Sequence, residues 1–339
     1  MDFIITKDYV KVINEDIKKQ LDDKLLSAST INAIINSPGN FILDTYVEDL
    51  CKKKESIHIA RGHWFHSLME EFFNNPNKNI NDLVLKDLIN VSNNNPKYSQ
   101  QQKSDDIITF KDLFNNGSDF YWMKECIKGF YKINKKENYD KRKTLGSEKE
   151  YISEINGLKI KAIIDTIFEY EDGVEIVDRK TGNYHKLNED YHFQQALYSL
   201  ILENEGVKVN KASLAYVKDG IIEDVDINNK EYVINKINTA NKLFNEYKNN
   251  DYTFPFKEYK YDGWRKLLFD IGQGPKPDIY KKELYKYAKL VKWTNHSLKA
   301  VIFFVHKSQL QKCRLRYLSY NTLGYRPRPS LCCLVLSWN

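Results

Sequence analysis

The sequence contains no Cys-x-x-Cys pair. Its five cysteines, Cys51, Cys126, Cys313, Cys332 and Cys333, are odd in number and irregularly spaced, which argues against both a zinc ribbon and a disulfide framework. They are expected to be reduced thiols. No apolar run approaches the roughly 20 residues of a membrane span. The opening stretch MDFIITKDYVKVINEDIKK interrupts every short apolar run with charge, so it does not read as a signal peptide, and a cytoplasmic location is expected. There is no internal repeat and no GxxxxGK[ST] nucleotide loop. The stretch IGQGPKPD lacks the Lys-Ser/Thr pair that holds phosphate and magnesium, so ATP use is not expected.

What is present is a globular composition, 42% hydrophobic and 13% aromatic over 339 residues, enough for one large domain or two ordinary ones. The net charge of +6 suggests a polyanion binder until it is located. Eight Lys/Arg and no Asp or Glu follow Val291, so residues 1–290 carry 44 basic against 46 acidic side chains. Basicity belongs to the end of the chain, and any polyanion site in the body must be a local patch.

The periodicity divides the chain into helices, then strands, then alternating helices and strands. Residues 1–26 read as an N-terminal extension. SASTINAIINSPGNFILDTYVEDL, residues 27–50, opens on a capping Ser27 and predicts a helix, a break at Ser37-Pro38-Gly39 and a second helix. ARGHWFHSLMEEFF predicts an amphipathic helix beginning near Gly62. Residues 74–105 are rich in Asn, Lys, Ser and Asp, and an insertion spanning about 74–140 is expected, with a short helix around residues 81–89 and another around 121–134. From Glu148 to Val177 the pattern alternates, with turn residues at Ile155-Asn156-Gly157 and Glu171-Asp172-Gly173, so a three-stranded meander is expected. Residues 190–205 return to helical spacing, 212–226 give two short strands about Asp219-Gly220, and 229–249 form a long helix.

Within the meander, KAIIDTI and VEIVDRK are joined by a short turn, which places Asp165 and Asp178 on neighbouring strands. Side chains alternate along a strand, so Asp178 and Lys180 share one face and Arg179 takes the other. Two carboxylates and an ammonium can then converge. Metal-assisted phosphodiester hydrolysis needs that set: oxygen ligands for magnesium or manganese, and a lysine to position water and meet charge developing on phosphate. Glu148 or Glu150, on the strand before, is a further candidate ligand or supporting group, or else exposed surface.

GLKIKAIIDTIFEYEDGVEIVDRKTGNYHKLNEDYHFQQALYSL resembles the PD-(D/E)xK nucleases, specifically the RecB-like branch of phage recombination exonucleases, CRISPR-associated RecB-like exonucleases and the mitochondrial genome-maintenance exonuclease. The D-x-K-T-G block is intact from Asp178 to Gly182. The branch's G-x-x-x-D strand ends in Asp165, with Lys161 in the glycine's place. Its downstream Q-x-x-x-Y is Gln194 and Tyr198, one helical turn apart. About 100 residues upstream, Gly62 and His66 match its G-x-x-x-H helix, with Glu70 one turn on. The resemblance runs from about Ser27 to Pro255.

It implies an α/β, restriction-endonuclease-like fold, a central mixed sheet flanked by helices with an N-terminal helical region, in a domain of residues 27–290. His66, Asp165, Asp178 and the backbone carbonyl of Arg179 would hold magnesium or manganese. Lys180 would orient the attacking water, and Thr181, Gln194 and Tyr198 would support the site or touch DNA. A metal-dependent DNA exonuclease of recombination, repair or phage DNA metabolism is implied, in a bacterial or phage-infected cell, with a single-strand-annealing protein or a separate helicase as partners. The alternatives are a structure- or site-specific endonuclease on the same fold and a non-catalytic DNA-binding relative.

Many relatives hold an iron–sulfur cluster. Here Ser37 stands in the place of its first cysteine and TFPFKEYKYDGWRK has no cysteine, so no cluster is expected, and packing by Tyr259, Tyr261 and Trp264 would substitute for it. Arg61, Arg179, Lys186 and Arg265 are candidate phosphate contacts or plain charged surface. His63, His185 and His192 carry no assignment. The tail 291–339 holds four of the eight arginines and three of the five cysteines, and reads either as a basic DNA arm or as sequence without an evolved role.

Overall fold

The computed structural model describes residues 1–46, 57–75, 79–84, 86, 117–186, 188–257, 264, 268 and 288–291. The chain begins with a hairpin, β1 (Phe3–Thr6) and β2 (Tyr9–Val12), followed by α1 (Glu15–Asp22), α2 (Ala28–Asn36), α3 (Pro38–Tyr46), α4 (Ile57–Asn74) and α5 (Gly117–Glu137). Ser27 caps α2 by accepting from the Thr30 amide at 3.3 Å, and Pro38 opens α3 at the position where its missing N–H costs nothing. Helix α4 starts one turn before Gly62, because residues 57–61 continue the same helix.

The strands β3 (Thr144–Ile155), β4 (Leu158–Tyr170) and β5 (Gly173–Lys180) form an antiparallel meander. Between β3 and β4 the two-residue turn sets Asn156 at φ 51° and Gly157 at φ 77°, the left-handed pair that matches strand twist. Helix α6 (Glu189–Asn204) crosses over to β6 (Val209–Tyr216), which lies parallel to β5, and β7 (Ile221–Asp224) closes the sheet in the order β3-β4-β5-β6-β7. The result is a mixed central sheet flanked by helices. Helix α7 (Lys230–Asn249) leads to β8 (Thr253–Pro255), and β9 is Ala288–Val291.

β1 and β2 join these last two strands in a second sheet, β8-β2-β1-β9, which the sequence reading did not contain. Phe3, Ile5, Val10 and Val12 are fully buried there, so residues 1–26 are built into the body of the fold.

Each face of the central sheet carries its own core. One gathers the N-terminal hairpin, α2, α3, α6 and α7 around Ile160, Ile164, Ile176 and Leu214. The other packs α4 and α5 around Phe168, Val177 and Ala215. β5 is buried along both faces, so its successive residues serve the two cores in turn. Leu26 is paired with the start of β4: its amide donates to Lys159 O at 3.0 Å and its carbonyl accepts from Lys161 N at 2.7 Å. That ladder sets α2 beside the sheet, facing α6.

Candidate active site

The end of β5 and the neighbouring strand β4 bring Asp165 and Asp178 side by side, 7% and 3% exposed. Asp165 Oδ2 accepts from the Arg179 amide at 2.7 Å, which fixes its carboxylate against the neighbouring strand. Asp178 Oδ2 meets Lys180 Nζ at 2.7 Å. Lys180 also donates to Gln194 Oε1 at 3.1 Å, and Gln194 Nε2 donates to the Tyr198 hydroxyl at 2.9 Å. Asn188 caps α6 and aims this face of the helix at the strand ends.

His66 arrives from α4 on the opposite core. Its Nδ1 donates to Glu148 Oε1 at 3.1 Å and lies 3.3 Å from Asp165 Oδ2. One turn earlier, a Cβ on Gly62 would come within 3.8 Å of Thr181 Oγ1, so this helix runs close to the D-x-K-T-G segment. The structure also separates the two glutamates of β3. Glu148 turns into the site, while Glu150 pairs with Lys161 at 2.6 Å. The cause is local: Glu148 has φ 50° in mid-strand, a left-handed backbone that re-aims its side chain.

Burial first and then the charge of Asp178 push the Asp165 carboxyl up to about 6, with His66 and Arg179 pulling the other way. Burial presses His66 toward neutrality, but Asp165, the hydrogen bond to Glu148 and Asp178 outweigh it and raise its pKa. Burial likewise works against the Lys180 ammonium, and Asp178 and Asp165 more than restore it, so this lysine stays charged. Ligand atoms of His66, Glu148 and Asp165 all lie within 4.8 Å of one another. A crowded set of carboxylates beside an imidazole, with one carboxyl held above its ordinary range, is a donor set that fits a hard divalent cation.

Arg179 is not a phosphate contact. Its side chain is buried at 2% exposure on the other face, bonded to Thr166 Oγ1 and stacked 4.8 Å from the Phe73 ring. Arg61 lies over Trp122, Lys186 is exposed, and Arg265 lies outside the described residues. His192 lies 3.4 Å from Glu223. Ser37 accepts from Asn40 at 2.6 Å. Trp264 donates to Asp44 at 2.6 Å, while Tyr259 and Tyr261 lie outside the described residues. Sequence reasoning missed Tyr191, whose ring lies 4.2 Å beneath the Lys180 ammonium. The signal was available, since residues 191, 194 and 198 follow one helical face.

The sequence profile of the PD-(D/E)XK nuclease superfamily matches residues 25–268. Among solved structures, the chain is similar to a crystal structure named "Putative exonuclease" from Eubacterium rectale, at 16% identity and a TM-score of 0.44, covering 78% of this chain and 95% of that one. No curated protein matches it. Among the described residues, no helix is long and apolar enough to cross a membrane.

Proposed function

Since the chain belongs to the PD-(D/E)XK nuclease superfamily, whose members hydrolyse nucleic acid with divalent metal, we propose that it is a magnesium- or manganese-dependent DNA exonuclease. One observation carries the chemistry: Lys180 is held between Asp178 and Gln194 beside the His66–Glu148–Asp165 cluster. His66, Glu148, Asp165, Asp178 and the Arg179 carbonyl would hold the metal, which supplies Lewis-acid polarisation of the phosphate and a water of lowered pKa. Lys180, kept protonated by its carboxylate partner, orients that water and meets the charge developing on the phosphate. Gln194, itself held by Tyr198, fixes the ammonium in place, and Thr181 stands beside Gly62 of α4. Hydrolysis leaves a 5′-phosphate.

Action from ends, in recombination, repair or phage DNA metabolism alongside an annealing protein or separate helicase, rests on the likeness of D-x-K-T-G, Q-x-x-x-Y and G-x-x-x-H to the RecB-like branch. The test is degradation of end-labelled linear DNA and closed circles with magnesium, manganese or EDTA. Stepwise loss of linear DNA only with metal, survival of circles, and a fall of at least about 10²-fold for Lys180→Ala are expected. Cut circles would make it an endonuclease. Metal-indifferent binding without cleavage would make it a binding protein.

A further inference from the structure

A cavity of about 400 Å³ lies between α2 and α6, immediately beside the supported lysine. Ser27, Asn32 and Asn36 line one side, Asn40 of α3 the floor, and Tyr191 and Gln194 the other side. Gln194 belongs to both places: it accepts from Lys180 Nζ and forms part of the cavity wall. Asn32 Nδ2 donates to Asp190 Oδ1 at 3.0 Å, which ties the two walls together across 158 residues of sequence.

The lining selects against phosphate. Among the described residues no lysine or arginine lines the cavity, and its charged members are Asp44 and Asp190, both acidic. The rest of the lining is hydroxyls, carboxamides, two alanines and the rings of Phe41, Tyr191 and Tyr198, which offer donors and acceptors to an uncharged planar group and aromatic surface to pack it against. Those are the means by which proteins take up single-stranded bases. A cavity of this size is also in the range that encloses a small ligand.

Resting on the nuclease reading above, we infer that this cavity receives the nucleoside next to the scissile phosphate, base and sugar together, and so selects a single strand. The scissile phosphate stays at the Lys180 end, where the positive charge is, and the neutral part of the neighbouring nucleotide enters between α2 and α6. A base paired and stacked in a duplex cannot enter without leaving the helix. Frayed or single-stranded ends are therefore the substrate.

The test uses the full chain carrying Lys180→Ala, bound in magnesium buffer to single-stranded oligodeoxynucleotides in which one abasic residue is walked along the strand, with affinity read by fluorescence anisotropy. One position is expected to lose about tenfold in affinity, in line with the loss of one stacked base. Adding Ala33→Trp, which fills the cavity, or Asn36→Ala, which removes a wall amide, flattens that position while leaving the rest of the walk in place. Thermal melting identifies a variant that has not folded. A flat walk, or a position insensitive to both cavity substitutions, overturns the inference. If the wild-type chain cleaves DNA while the walk is flat, the cavity assignment falls and the nuclease stands. If it neither binds nor cleaves, the nuclease reading falls and the cavity assignment goes with it.

Discussion

At the scale of single residues, burial weighs on the Asp165 carboxylate and the neighbouring charge of Asp178 adds to it, even though cations stand close by. A carboxyl whose folded pKa is raised to about 6 binds protons more readily folded than unfolded. Its contribution to stability is therefore greatest below the unfolded value and is lost as pH rises through about 6. At neutral pH, in EDTA, Asp165→Asn should melt a few degrees higher than the wild type while cleaving nothing, as differential scanning fluorimetry and a DNA assay would show. With magnesium present the order should reverse, since only the wild type gains from the ion. Asp165, Asp178 and Lys180 were legible in the sequence because strand alternation and a short turn fix them. The role of Arg179 was not, because alternation tells which face a side chain takes and not that Thr166 and Phe73 wait there to cover it.

At the scale of elements, β3 and β5 carry the next two predictions. Glu148 sits at φ 50°, which costs an ordinary residue about 1 kcal/mol that glycine does not incur. Glu148→Gly should hold or slightly raise the melting temperature in EDTA and weaken manganese affinity about tenfold or more, measured by titration calorimetry. No pattern in GSEKEY announces this backbone, so the sequence left Glu148 and Glu150 equal. On β5, Glu175 lies fully buried on the face away from the site. It accepts from Arg142, from the Tyr139 hydroxyl at 3.2 Å and from Ser213 Oγ at 2.8 Å, with Lys211 Nζ at 3.3 Å. Arg142→Ala leaves that carboxylate short of its main partner and should destabilise the fold by about 3 kcal/mol, read from urea unfolding, without changing metal affinity. The hairpin β1–β2 escaped sequence reading for a different reason. Its strands are four residues each, and their partners β8 and β9 lie more than 240 residues away.

At the scale of the whole molecule, charge and architecture are distributed unequally. Residues 1–290 are nearly neutral, and eight positive charges follow Val291 with no negative charge among them. A chain ending at residue 291 should keep metal-dependent cleavage and lose non-specific DNA retention, with a shallower dependence of binding on salt concentration, measurable by filter binding between 50 and about 200 mM salt. The central sheet was legible because each of its strands is next to its partner in sequence or one crossover away. The way its two faces share a strand was not, since this depends on which helices arrive from afar.

The pairing of opposite charges at the site bears on how the enzyme is made. Asp165, Asp178 and Glu148 stand among Arg179, Lys180 and His66, so the cluster comes close to balancing itself from within the chain. In small zinc domains the ion is needed before the polypeptide can fold. Here the partners of each carboxylate come from the chain itself, so on the proposed metal-dependent reading the order is reversed: folding should precede ion binding, and circular dichroism in EDTA should show a folded protein.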